Sequence, residues 1–308
     1  MLPGGVYAKS RVLCYNPPLR GFLNNFLRSF LKVLLRLQRI LSLAFVAASV
    51  CVSTFAQNDA AKPAEAKPSP SPTPVAKGKP DPTNLTAEQI AEGTIFIYGN
   101  GGGRVTLGQI RKTTLERGTA VYTNAEGKVE RASYQRFVIR GENFGKEKIR
   151  LDQDFPGARY SLIFSDYKVF GIFNNQVFSP RDDTVKTFEN QIVRGLEALL
   201  RYKENESALA LQPKEKLMGV DYHVLDVIDK ENRKTRFYIS ARSFRVMMLT
   251  YEDNGVNYKR KFYDYNYAQG TLVPYRTVLW ANDKQVEETD IGTITFGQKV
   301  DENLFAAS

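Results

Sequence analysis

Two periods organise the chain beyond residue 85. Short segments of alternating apolar and polar residues, the pattern of a half-buried strand, run through "GTAVY" (118–122), "RASYQRFVIRGE" (131–142), "EKIRLDQDF" (147–155) and "RYSLIFSDYKVFGIFNNQVF" (159–178). After Pro213 they resume as "GVDYHVLDVIDK", "KTRFYISA", "FRVMMLTYED", "GVNYKRKFYDYNY", "TLVPYRTVLWAND" and "QVEETDIGTITFG". Turn formers separate them at Asn124–Gly127, Gly141–Gly145, Asp166, Asn174-Asn175, Asn254-Gly255 and Asn282-Asp283. Between the two blocks, "TVKTFENQIVRGLEALLRYK" (184–203) has the helical period. Phe188, Ile192, Leu196, Leu199 and Leu200 fall on one stripe, and Asp182 and Asp183 precede the first turn. A second helix is expected near Leu85, where Thr86 and Gln89 form a capping box and Ala87, Ile90 and Ala91 share a face. Sequential short strands with short turns predict an antiparallel meander: a mainly β (α+β) fold, not a parallel α/β one.

Several strands carry apolar residues on both faces. Leu162 and Phe164 oppose Ile163; Phe170 and Ile172 oppose Val169 and Phe173; Val246 and Met248 oppose Met247 and Leu249. A sheet covered on one side only alternates more cleanly. Either both faces are covered in a plain two-sided core, or one face lines an apolar cavity closed by helices, which implies an apolar ligand.

Candidate chemistry changes this picture little. "IFIYGNGGGRVTL" (95–107) has four glycines in five positions, but Arg104, Val105 and Thr106 follow where a phosphate loop needs Lys and a hydroxyl. It reads as a turn by which the chain leaves the first helix and enters the sheet. His223, the one histidine, sits in a strand pattern, and no G-x-S-x-G motif frames a serine nucleophile. The acid pairs Asp152/Asp154, Asp182/Asp183, Asp226/Asp229 and Glu252/Asp253 fall at strand ends or a helix start, where carboxylates cap or solvate. In "NYKRKFYDYNYAQG", strict alternation puts Lys259, Lys261, Tyr263, Tyr265 and Tyr267 on one face, as cross-strand aromatic packing or as a stacking surface for sugars or bases. No catalytic, metal or cofactor site is expected.

Charge changes the picture more. The 308 residues carry 43 Lys and Arg against 33 Asp and Glu, a formal +10. Seven of the basic residues lie in residues 1–56, which hold no acidic residue and end in the apolar run and small residues of "ILSLAFVAASVCVSTFA". That order is a secretory signal region, with the cut expected before Gln57; an uncleaved signal would give a membrane-anchored form. Without it, 36 basic residues face 33 acidic ones, and the support for nucleic-acid binding goes. Both cysteines, Cys14 and Cys51, go with the signal, so the exported chain is held by its core alone. Residues 57–84, rich in Pro, Ala and Lys, read as an extended linker, and 85–308 as the folded domain.

The order of elements, and three stretches near the C-terminus, resemble the lipoprotein-sorting carriers of the Lol type (LolA/LolB-like). "RFYISARSFRVMMLTYEDNGV" resembles the family's strand–turn–strand, "FYDYNYAQGTLVPYRTVLWANDKQ" its next unit, and "TITFGQKVDENLF" its closing strand with the acidic-Leu-Phe ending. The resemblance spans about residues 85–305. It implies an incomplete β-barrel whose concave apolar face is covered by helices, with 184–203 as the lid. It also implies a monomeric periplasmic carrier, without chemistry or cofactor, for the acyl chains of lipoproteins or other lipids, with inner- and outer-membrane envelope proteins as partners. An envelope structural or stress-sensing module that binds a protein partner is the alternative. The long Pro-rich tether and the glycine-rich turn depart from the carrier pattern, and no functional residue carries over by motif. The cavity candidates from the sheet are Phe137, Ile139, Leu162, Phe164, Phe170 and Ile172, then Phe237, Ile239, Val246, Met248, Val278 and Trp280; the lid supplies Phe188, Ile192 and Leu196. An aspartate at Phe164 or Met248 is expected to abolish lipid retention, because it places a charge in a dry cavity.

Overall fold

The computed structural model describes residues 85–124 and 126–307. The signal and linker expected from the sequence lie outside the described residues.

Helix α1 (Ala87–Tyr98) starts at the expected capping box: the Gln89 amide donates to the Thr86 hydroxyl at 3.2 Å, and the Thr86 amide to the Gln89 side chain at 2.8 Å. It buries Ile90, Ala91, Ile95 and Tyr98. The glycine stretch then does not enter the sheet directly. It turns a corner through Asn100 and Gly101, both at positive φ, into a second helix, α2 (Gly103–Ile110). The corner is tight: a Cβ on Gly99 would lie 2.5 Å from the Gly103 carbonyl oxygen.

Thirteen strands follow in one curved, unclosed antiparallel sheet. The first six are β1 (Thr113–Thr123), β2 (Val129–Ile139), β3 (Lys148–Phe155), β4 (Ala158–Ser165), β5 (Lys168–Phe173) and β6 (Gln176–Phe178). The second block is β7 (Ala208–Leu217), β8 (Val220–Ile228), β9 (Lys234–Ser240), β10 (Val246–Asp253), β11 (Val256–Ala268), β12 (Thr271–Ala281) and β13 (Lys284–Phe296). Their spatial order is β6-β5-β4-β3-β2-β1-β13-β12-β11-β10-β9-β8-β7. Each block is a run of hairpins, and β1 pairs with β13 to join them. The turns expected at Asp166, Asn174-Asn175, Asn254 and Asn282-Asp283 all have residues at positive φ.

This order explains the helical insertion. The chain leaves the sheet at one free edge, β6, and re-enters at the other, β7, so the residues between must cross from edge to edge. They cross the concave face. The single helix expected over 184–203 is instead two: α3 (Asp182–Val193) and α4 (Leu196–Leu200). Gly195 breaks it with an extended backbone, and a Cβ there would meet the Gln191 carbonyl oxygen at 2.6 Å.

The two halves of the crossing pack on different cores. Phe188 and Ile192 of α3 join Ile149, Leu151, Leu162, Phe164 and Ala120 of the first block. Ala198, Leu199 and Leu200 of α4 join α1 and the second block through Leu225, Phe237, Ile239, Val246, Leu249 and Phe262. The other face is covered too: Arg150 of β3 donates to the Leu304 carbonyl at 2.9 Å, and the closing 3-10 turn (Glu302–Phe305) buries Phe305. Ile163, on that face, is fully buried. Apolar residues on both faces thus reflect two covered faces and, in part, a cavity.

Candidate functional site

A cavity of about 250 Å³ lies between α3 and α4 on one side and β1, β2, β3 and β11–β13 on the other. Its apolar wall comes from Val138, Phe144, Ile149, Phe188, Ile192, Leu196, Phe262, Ile291, Ile294 and Phe296. The remaining wall is charged, with Arg111, Arg136, Arg140 and Arg260 beside Glu116, Glu147, Glu197 and Glu287. The expectation of a dry apolar cavity is corrected here: the cavity is amphipathic.

Strand alternation builds this charged belt. Arg136 and Val138 occupy successive inward positions of β2, and Arg140 follows just past its end; Thr114 and Glu116 face in on β1, and Glu287 and Thr289 on β13. Arg136 stands opposite Glu116 in the β1–β2 ladder. The Tyr134 hydroxyl donates to Glu116 at 2.7 Å. Its ring passes over Gly118, where any Cβ would lie 2.9 Å from it. Burial, and then the Glu116 carboxylate, hold the Tyr134 hydroxyl protonated far above the ordinary tyrosine range.

Most of the belt is mutually satisfied. Glu197 of α4 accepts from Arg111 at 2.6 Å and from Arg140 at 2.5 Å. Burial pushes its pKa up, but Arg140 and then Arg111 more than offset this and hold it below the usual value. Arg111 also donates to the Thr271 hydroxyl at 2.6 Å and to the Leu272 carbonyl at 2.9 Å. Glu147 pairs with Arg201, whose pKa burial lowers to about 10. Arg260 donates to Glu287 at 3.2 Å. Gln191 of α3 accepts from Arg136 at 3.3 Å and donates to Glu287 at 3.2 Å. The buried Nε of Arg136 has no hydrogen-bond partner.

The structure divides the candidates read from the sequence. Phe188, Ile192 and Leu196 line the cavity. Phe164, Phe237, Ile239 and Val246 lie on the same concave side, in the packed cores beside it. Leu162 belongs to the first core and also lines a separate cleft of about 460 Å³ at the β4–β6 edge, with Phe173, Val177 and Phe178.

The other seven are corrected to the convex face. Phe137 pairs with Arg150, Ile139 with Lys148, Phe170 with Ile163, and Ile172 with Ser161, all on the face that carries Arg150 and Ser161. In β2 the inward residue is Val138, flanked by arginines that apolar patterning assigns to solvent. Met248 is displaced by a bulge: Val246 pairs with Ile239 but Met248 with Tyr238, so Leu249 takes the inward place. Val278 and Trp280 pair with Lys261 and Lys259, and both lysines lie over the Trp280 ring.

A similar switch at Asp264, at positive φ, splits the row expected from Lys259 to Tyr267. Tyr263 faces Arg276 outside, whereas Tyr265 turns in to meet Tyr98, their hydroxyls 2.9 Å apart. His223 is buried on β8 beside Phe244, away from the cavity. Among the described residues no group of His, Cys, Asp and Glu is placed to hold a metal ion. Apolar patterning does not register the charged belt; its signal in the sequence is the Arg-Phe-Val-Ile-Arg run (136–140), with charge on both sides of a residue that must face in.

No family model matches the chain, and no curated protein matches it in sequence. Solved structures do. A DUF1329 family protein from Desulfovibrio piger ATCC 29098 superposes with a TM-score of 0.53 at 13% identity, over 71% of this chain and 97% of that one. A LolA superfamily protein from Nitrosomonas europaea gives a TM-score of 0.52 at 12% identity, over 72% and 98%. At these identities the likeness is one of fold, and the fold is LolA-like.

Proposed function

We propose that this LolA-like chain is a non-catalytic carrier or binding protein of the periplasm, and that its cavity takes the acyl chain of a lipoprotein or another lipid. The observation that carries the reading is the edge-to-edge crossing. A two-part helical strap closes the concave face of an open sheet and leaves an amphipathic cavity, apolar on one wall, beneath it. Support also comes from the sequence, whose first 56 residues have the order of an export signal. Among the described residues, no helix is long and apolar enough to cross a membrane. Transfer of an acyl chain from water into such a wall gains about 0.8 kcal/mol per CH₂, so an apolar tail supplies affinity without any reaction.

Native mass spectrometry of the exported chain, followed by solvent extraction and lipid analysis, tests this. A bound acyl lipid that detergent removes is the expected result. A clean unliganded mass, with no uptake of a fluorescent fatty-acid probe, overturns it.

One observation favours a second reading, the envelope module with a protein partner. The cleft at the β4–β6 edge exposes Phe173 (44%) and Val177 (47%) beside Phe178 and Pro180, an apolar surface at a free sheet edge.

A further inference from the structure

The charged belt is unbalanced in one place. Glu147 is taken by Arg201 and Glu287 by Arg260, but Glu197 is shared between Arg111 and Arg140. With Glu116 set against Arg136 across the ladder, the cavity residues and their partners carry one more cation than anions. Among the described residues, Arg136 is the cation of the belt with no carboxylate at contact distance, and Glu116 and then Glu287 keep it charged through space. Glu116, opposite it, already accepts from Tyr134; among the described residues the side chain that accepts a hydrogen bond from Arg136 is Gln191, at 3.3 Å; and the Arg136 Nε is buried and unbonded. The Arg136 guanidinium lines the cavity, where an oxyanion meets it with charge-assisted bonds.

Apolar residues flank it on the same inner surface. Val138 is its inward neighbour on β2, Ile149 pairs with Val138 on β3, and Phe188 and Ile192 cover both from α3. At about 250 Å³ the cavity is smaller than the usual range for drug-sized ligands, which suits one chain rather than two.

We infer that the occupant is a single-chain amphiphile with an oxyanion head, carboxylate or phosphate, and that Arg136 receives the head while Ile149, Phe188 and Ile192 hold the start of the tail. This rests on the lipid-binding reading and adds the head group to it. Arg136 is the specificity residue of the site: it distinguishes an anionic from a neutral head on the same tail.

The test is equilibrium binding to the full exported chain by displacement of a fluorescent fatty-acid probe. Palmitate, hexadecyl phosphate and hexadecanol share a tail and differ in head. Expected is binding of at least one of the two anions about tenfold or more tighter than hexadecanol, and loss of that preference in Arg136→Gln, read as the ratio of its affinities for the anion and for hexadecanol. Which anion wins separates a carboxylate from a phosphate source. Equal binding of all three by the unaltered chain overturns the inference and leaves the carrier reading standing; binding of none overturns the carrier reading itself. Arg136→Lys should retain part of the preference. If Arg136→Gln does not fold, the comparison of heads on the unaltered chain still decides.

Discussion

Glu197 shows how much a single side chain can hold. Its carboxylate ties α4 to Arg111, at the end of α2, and to Arg140, at the end of β2. Arg111 is almost wholly buried, so removing its anion leaves a desolvated guanidinium short of an acceptor. Glu197→Gln is expected to cost about 2 kcal/mol, the penalty for orphaning one buried polar group, measured by urea unfolding at neutral pH. The same residue gives a pH dependence. Its pKa in the folded state is lowered, so the folded state binds fewer protons than the unfolded chain near the usual carboxylate pKa. The stabilisation is present above pH 4.5 and is lost as pH falls through the lowered folded value. An unfolding midpoint that falls with acid below pH 4.5 in the unaltered chain, and falls less in Glu197→Gln, is the expected result. His223 acts in the same direction in a higher window. Burial, and then Lys214, lower its pKa below 6.5, and its Nδ1 has no hydrogen-bond partner. The folded state resists protonation there, so stability falls as pH drops through 6.5. His223→Leu, which cannot charge, should remove the part of the loss that begins as pH falls through 6.5. An acid limb identical to that of the unaltered chain would refute the assignment.

At the scale of elements, Gly195 decides the shape of the strap. It ends α3 in an extended backbone that any residue can adopt, but its missing Cβ makes room for the Gln191 carbonyl oxygen. Gly195→Ala must push α3 away or straighten the break. Expected are a loss of about 1–3 kcal/mol, the range for overpacking, and weaker probe binding, because Phe188, Gln191 and Ile192 all ride on α3. Unaltered binding together with unaltered stability would show that the strap tolerates another path. This break also marks where the sequence stops being legible. The period across 184–203 was sound, with Phe188, Ile192, Leu196 and Leu199 all facing in, yet periodicity does not register a one-residue interruption. The turns are legible because Asn174-Asn175, Asn254-Gly255 and Asn282-Asp283 announce positive φ locally. Faces were read less well. Parity carries along a strand only while its backbone stays regular, and the register shift after Val246 and the positive φ at Asp264 each break it. In β2 the rule that apolar residues face in selects Phe137 and Ile139 over Val138, because both faces are partly buried there and the arginines point into a cavity. Helix α2 was missed because glycine at both Gly103 and Gly108 reads as a turn.

The architecture of the whole molecule follows from one constraint. An open sheet whose two free edges are consecutive in the chain must have its connection run from edge to edge, and that connection becomes the cover of whatever the sheet curves around. The free edges also carry risk, and β7 shows protection: Pro213, Lys214, Glu215 and Lys216 lie in it, with an irregular register between Gln212 and Glu215. The convex face has its own cover in the last residues. Arg150 holds the Leu304 carbonyl, Lys148 pairs with Glu302 at 2.5 Å, and Phe305 is buried against the sheet. This cover sits on β3 and β4, the strands whose other face carries Ile149, Leu151, Leu162 and Phe164. The C-terminal turn therefore supports the first-block core from behind, without touching the cavity. Phe305→Ala should cost about 3 kcal/mol, as loss of a buried aromatic does. It should also uncover Ile163, and so raise binding of a hydrophobic dye. Because the head-group contacts lie on the opposite face, the preference for an anionic over a neutral amphiphile should stay unchanged in the folded fraction. A Phe305→Ala variant that keeps its stability would mean that the convex face is held by β-pairing alone; one that loses the head-group preference would mean that the two faces are coupled through the sheet.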